Sequence, residues 1–282
     1  MSTAGRPDPE YVRARRVLLD ALESLAPHGS ALVLVGAQAI YLHAGPGDFA
    51  VAPYTTDGDL CIEPAQLPDS PLLEDALRAG GFVPTGQPGI WTRDDVELDL
   101  LVPGTVGGPG RRGARLGPHG NRVARKFKGL EGALVDSAPM RLSGLDDDAR
   151  VVTVRVAGPG ALLVSKLHKI ADREGQPDRL GDKDALDVLR LLQAIATQDL
   201  ADSIRRLLVH ELSREVPREA LDLRRRLFGA ADATGVEMVV RATEGLEDPV
   251  TIQGSCIVLA SELLEAIGGG IVSAERQPEN DT

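Results

Sequence analysis

The run Ala31-Leu32-Val33-Leu34-Val35, closed by Gly36, constrains the fold of this chain more than any other stretch. An unbroken apolar run of strand length, with no polar alternation, fits a strand buried on both faces, as inside an α/β sheet. Gly36 then opens a tight turn into a short helix, Gly36-Ala37-Gln38-Ala39-Ile40-Tyr41-Leu42-His43. Small residues at such a turn let the backbone approach a ligand, and the amides of a helix N-terminus attract anions such as phosphate.

After the loop Gly45-Pro46-Gly47 comes an acidic strand, Thr55-Thr56-Asp57-Gly58-Asp59-Leu60-Cys61-Ile62-Glu63. Side chains alternate along a strand, so Asp57 and Asp59 share a face, roughly 7 Å apart along the chain. Two like charges that close repel unless they are neutralised, and a divalent cation with oxygen ligands is the usual agent. Glu63 adjoins Pro64 and marks the strand's end, not a ligand. Further on, Val96-Glu97-Leu98-Asp99-Leu100-Leu101-Val102-Pro103 forms the second strand of a hairpin with Ile90-Trp91-Thr92-Arg93. Asp99 projects away from its apolar neighbours, and if this strand lies beside the acidic one it adds a third carboxylate.

The remaining pattern is an α/β core followed by helices. Apolar spacing predicts a helix from Pro9 to Leu25, another over Pro71–Arg78 and a strand at Val151–Ala157. Helices are expected over Ala161–Arg173 and Lys183–Ala196, joined by the loop Gly175-Gln176-Pro177. From Asp199 to Ile267 the chain reads as amphipathic helix with breaks at Pro217, Gly229-Ala230, Gly235 and Pro249. Arg224-Arg225-Arg226 is expected on a solvated face. The expected organisation is a core over residues 1–160, a helical region over 161–272 and a polar, disordered tail over 273–282.

Composition narrows the function classes. A net charge of -11 argues against binding nucleic acid over the whole surface, and only 3% aromatic residues leave little for a base-stacking platform. One basic patch survives: Arg111, Arg112, Arg115, Arg122, Arg125, Lys126 and Lys128, in the glycine-rich stretch 104–129, which reads as a loop. Its cations suit the phosphates of RNA or mark only a solvated insertion. Cys61 and Cys256 give no disulfide framework or zinc cluster. No apolar run of membrane-spanning length is visible and the N-terminus lacks a signal-peptide core, so a cytoplasmic protein without a membrane partner is expected. His43, His119 and His168 are not spaced as metal-ligand pairs.

Strand, small-residue turn, short helix, D-x-D strand and a later single-acid strand, in that order, match the nucleotidyltransferase fold: a mixed sheet flanked by helices. Nucleotidyl transfer uses divalent metals bridging phosphate oxygens, and carboxylates on adjacent strands hold two of them about 3.5–4 Å apart. The segments Val35-Gly36-Ala37-Gln38-Ala39, Tyr54-Thr55-Thr56-Asp57-Gly58-Asp59-Leu60, Lys166-Leu167-His168-Lys169-Ile170-Ala171-Asp172-Arg173 and Asp182-Lys183-Asp184-Ala185-Leu186-Asp187-Val188 resemble AbiE-type nucleotidyltransferases, the toxins of type IV toxin–antitoxin systems. The resemblance spans roughly residues 30 to 195. It implies Mg²⁺ or Mn²⁺ on Asp57 and Asp59, with Asp99 as the further acid. Lys166 would contact the triphosphate, with Asp184 or Asp187 setting that lysine or meeting the nucleotide. Gly36, Ala37, Lys169 and Arg173 complete the nucleotide side.

Two positions depart from the family's pattern. Gly36-Ala37 stands where Gly-Gly or Gly-Ser is usual, which removes a hydroxyl, and Gly58 separates the two acids where an apolar residue is common. The expected activity is transfer of a nucleoside monophosphate from an NTP to an acceptor, RNA such as tRNA or a protein hydroxyl, with an antitoxin protein as partner. Two other readings remain open: transfer to a small molecule of the aminoglycoside kind, suited to an acidic cleft, and a nucleotide-binding module without turnover.

Overall fold

A computed structural model describes residues 7–45, 51–174 and 181–274, the last six of these by backbone only. The expected loops at Pro46-Gly47 and Gly175-Gln176-Pro177, and the tail beyond 274, lie outside the described residues.

Helix α1 (Pro9–Ser24) starts where the Asp8 side chain accepts a hydrogen bond from the Glu10 amide, with proline in the first turn. Strand β1 (Leu32–Val35) follows, buried at every residue as its apolar run requires, and Gly36 leads directly into α2 (Gly36–Ala44). Next come β2 (Asp57–Ile62), α3 (Leu73–Ala79), β3 (Val83–Pro84), β4 (Ile90–Arg93) and β5 (Val96–Pro103). A folded excursion then leads to β6 (Arg125–Phe127), α4 (Glu131–Val135), β7 (Ser137–Ser143) and β8 (Val151–Ala157). The helical region comprises α5 (Pro159–Arg173), α6 (Asp182–Ala194), α7 (Thr197–Val209), α8 (Glu215–Phe228), α9 (Thr234–Ala242) and α10 (Pro249–Ala274).

The strands form one mixed sheet in the order β3-β4-β5-β2-β1-β8-β7, with β6 added to the second half of β5. β2 runs antiparallel to β1 and parallel to β5, in a register that places Asp59 beside Val35 on one side and Asp99 on the other. α1 packs across β2 and β5, where Gly58 leaves room for it: a Cβ at Gly58 would stand 3.3 Å from Leu18 Cδ1. Gly58 therefore faces α1, and by alternation Asp57 and Asp59 face the opposite layer, where α2 packs with α5 and α6. One core of buried apolar side chains runs from Leu18 through Leu60 and Leu100 to Leu191 and Leu263.

Several expectations are corrected. The stretch 104–129 is not a plain loop: Ala114, Leu116, Val123 and Ala124 are buried, and β6 lies within it. Backbone hydrogen bonds carry this segment (Ala114 N to Ala124 O, Arg115 N to Gly107 O, Lys126 N to Arg112 O), so it needs no apolar period. β7 escapes sequence reading because it is an edge strand with mostly exposed residues and a proline, Pro139, which edges tolerate. Pro217 and Gly235 do not break helices; each lies in a helix's first turn, where the amide that Pro217 lacks costs little and Gly235 allows close packing, a Cβ there falling 2.6 Å from the Leu227 carbonyl oxygen. Arg224 is buried and shares the inward face of α8 with Ala220, Leu227 and Phe228, while Arg225 and Arg226 pair at the surface with Asp222 and Glu174.

The segment Pro249–Gly268 of α10 is long and apolar enough to cross a membrane by length and composition, with mean hydropathy 1.5. Run length missed it because Glu262 and Glu265 interrupt the apolar residues. The helix buries Ile252, Cys256, Ala260, Leu263 and Ile267, spaced by three and four residues, against α7 and α9.

Candidate active site

Asp57 and Asp59 lie where β2 meets the start of α2. Gly36 adopts φ 71, a left-handed conformation natural to glycine, and a Cβ there would fall 1.9 Å from Asp59 Oδ2. The glycine is thus required for the Asp59 carboxylate to sit against the first turn of α2. Ala37 is buried in that same turn. Gly36→Ala is expected to cost about 1–3 kcal/mol and to displace Asp59. A thermal melt no lower than that of the native protein would contradict this.

The two acids are held differently. Thr55 donates its hydroxyl to Asp57 Oδ1, and Lys183 Nζ stands 3.7 Å from the same oxygen and 3.3 Å from Thr55 Oγ1. Burial works against ionisation of Asp57, but the Lys183 ammonium and the Thr55 hydroxyl hold its carboxyl below the usual range. Asp59 has the opposite balance: burial and the neighbouring Asp57 charge push it up to about 7. Gln38 fixes the strand, donating to the Asp57 carbonyl at 2.9 Å while accepting from Arg15 Nε at 2.7 Å. Arg15 itself reaches Tyr11 Oη and the Ser143 carbonyl.

β5 does lie beside β2, in a register that sets Asp99 next to Asp59, but the Asp99 carboxylate is taken by Arg125, with Nη2 2.6 Å from Oδ2. Among the described residues no group of three His, Cys, Asp or Glu side chains converges as a metal cage. The donor set still suits Mg²⁺, which binds through one or two carboxylates, waters and substrate phosphates rather than in an all-protein cage. Asp59 adds the electrostatic case: its ionisation is opposed by Asp57, and a cation between them would relieve both.

Behind the acids, α5 and α6 form an ion cluster. Lys166 Nζ lies 2.6 Å from Asp184 Oδ1 and 2.8 Å from Asp187 Oδ2, with all three side chains at 5% exposure or less. Lys169 and Arg173 reach Asp184 at 3.2 and 3.0 Å from more open positions. Arg190 reaches Asp187 at 3.1 Å and stacks on the Tyr41 ring. Both candidate acids therefore engage Lys166, as a shared clamp. Lys169, Arg173 and Lys183 carry the more accessible charge.

The seven-cation patch is divided by the fold. Arg125 serves Asp99, Lys126 donates to the Gly108 carbonyl at 2.9 Å, and Lys128 pairs with Glu219 at 2.5 Å. Arg111, Arg115 and Arg122 line a separate cavity. His43, His119 and His168 each bind a backbone carbonyl (Ala157, Pro68 and Val216), and Glu63 pairs with Arg155. Sequence reading missed Lys183, Gln38 and Arg190, and placed Arg125 in the basic patch where the fold pairs it with Asp99. Lys183 had a signal, its place between Asp182 and Asp184; Gln38 had another, a polar side chain at the head of an apolar helix.

Compared with known proteins, the chain matches no family model and no curated sequence.

Proposed function

We propose that this protein is a metal-dependent nucleotidyltransferase of the AbiE-like class, moving a nucleoside monophosphate from an NTP to an RNA acceptor. The observation that carries the reading is the Asp57–Asp59 pair set against the glycine-opened turn of α2, with Lys183 at Asp57 and the Lys166 cluster behind. In this reading the sheet is the core of a nucleotidyltransferase fold. Asp57 and Asp59 would hold Mg²⁺ or Mn²⁺, which when bound supplies charge neutralisation at the phosphates and lowers the pKa of an attacking hydroxyl.

The chain's own residues do the positioning. Gly36 lets the Asp59 carboxylate, and a cation held on it, lie against the N-terminal turn of α2, whose amides favour phosphate oxygens. Lys169, Arg173 and Lys183 offer cations to the triphosphate, and negative charge growing on departing pyrophosphate is stabilised by such preplaced groups. Lys166, enclosed by Asp184 and Asp187, acts as a positioning residue: it locks α5 to α6 and so fixes Lys169 and Arg173. Gln38 does the same for the backbone of Asp57.

The test is incubation with each labelled NTP, Mg²⁺ and total tRNA, with Asp57→Ala alongside. Native protein is expected to label RNA and the variant to fall by about 100-fold or more. Equal incorporation by the two removes the case for this site. Label passing to small cationic acceptors and not to RNA would move the reading to a small-molecule transferase. A toxin-like role also implies a neutralising partner protein and growth arrest on expression without it.

A further inference from the structure

The excursion between β5 and β6 carries positive charge that the acidic strand does not use. A cavity of about 230 Å³ opens there, lined by Arg111, Arg115, Arg122 and Asn121 with Pro88 and Pro109 as walls. Three arginines thus line one open cavity, a concentration of positive charge that an anion held there would relieve. The chain has carboxylates to spare, 42 against 31 Lys and Arg, and elsewhere it spends them on arginines: Arg150 alone meets Asp20, Glu23 and Asp148. Yet among the described residues Arg111 and Arg115 have no carboxylate partner, and Arg122 donates to the Gly86 carbonyl.

The frame beneath these side chains is fixed. Gly113 bridges to Arg125, and a Cβ on Gly113 would fall 2.0 Å from the Asn121 carbonyl oxygen, so the two limbs of the excursion close tightly only with glycine there. The Arg115 amide donates to Gly107, the Arg112 carbonyl accepts from Lys126, and the Arg122 carbonyl accepts from Gly89. Backbone groups are thus satisfied within the frame while the guanidinium groups of Arg111 and Arg115 stay exposed at the cavity. A planar fork of N–H donors matches the oxygens of a phosphoryl group, and rigid placement reduces the ordering cost of binding.

We propose that Arg111, Arg115 and Arg122 form a phosphoryl-anion site distinct from the acidic strand. Its ligand is a phosphate group, free or carried on an ester. The site stands whether or not nucleotidyl transfer is the protein's reaction.

Calorimetric titration of the full chain with inorganic phosphate, pyrophosphate and a short single-stranded RNA separates the sources. At least one is expected to bind, weaken with added salt, and lose about tenfold or more in affinity in Arg111→Gln/Arg115→Gln. Arg115→Lys, which keeps charge but loses the fork, is expected to fall between. The melting temperature of each variant shows that the frame survives. Asp57→Ala is expected to retain binding of inorganic phosphate, since that residue lies outside this cavity. Absence of binding for all three ligands, equal binding by the double variant, or loss of phosphate binding in Asp57→Ala each overturns the proposal.

Discussion

Lys166→Ala is expected to destabilise the protein by about 3–5 kcal/mol, because it leaves two buried carboxylates without the cation between them. For a chain of this size that corresponds to roughly a 10 °C fall in the unfolding midpoint. Burial alone would lower the pKa of Lys166, but the Asp184 and Asp187 charges more than reverse this and hold it above its ordinary value. The loss is tempered because Asp184 keeps Lys169 and Arg173, and Asp187 keeps Arg190. Lys169→Ala removes an outer member of the same cluster and is expected to cost no more than about 1 kcal/mol. Thermal melts followed by circular dichroism compare the two directly; similar midpoints for both variants would refute the clamp. Asp184 sets the acid limit of this cluster. Despite burial, the Lys166 and Lys169 charges hold its carboxyl well below the usual range. Its contribution is therefore present above the ordinary carboxylate pKa and is lost as pH falls into strong acid.

The cluster also shows where a sequence stops being legible. Helical spacing put Asp184 and Asp187 on similar faces of α6, and spacing by three put Lys169 near Lys166; both are local facts of the helix. That Lys166 takes both acids is a tertiary fact, set by how α5 crosses α6, and no spacing encodes it. The same division runs through the sheet. The apolar run Leu32–Val35, the glycine after it and the alternation that aligns Asp57 with Asp59 were readable because each obeys a short period. So was the orientation of Asp99. Its partner Arg125 was not, because it arrives from a segment ordered by backbone hydrogen bonds instead of apolar rhythm. β7, an edge strand with little to bury, left no alternation to find. Gly58 looked like an unexplained departure between two acids until α1 was placed over it, with Leu18 filling the space a side chain would take.

Asp59 carries the other large expected effect. Its carboxyl is pushed up to about 7 by burial and by Asp57, so the folded protein holds this proton through a range in which the unfolded chain has already released it. The sign follows: between about pH 4 and pH 7 the native state binds more protons, so this group's contribution to stability is complete in acid and is lost as pH rises through 7. Asp57, held low by Lys183 and Thr55, acts oppositely and in another window, losing its contribution only as pH falls below the usual carboxylate range. On the proposed reading divalent metal cancels the Asp59 penalty, since the cation would bind the ionised carboxylate. Mg²⁺ or Mn²⁺ affinity is therefore expected to drop by about tenfold per pH unit below pH 7, with release of close to one proton on binding. Calorimetry in buffers of different ionisation enthalpy reads both quantities. In Asp59→Asn the metal-free protein should lose its decline in melting temperature between about pH 4 and pH 7, because no carboxylate is left to ionise there. Metal affinity that stays flat across that range would mean that the cation does not sit on Asp59, and the acidic strand would then be a charged strand end that only resembles a catalytic one.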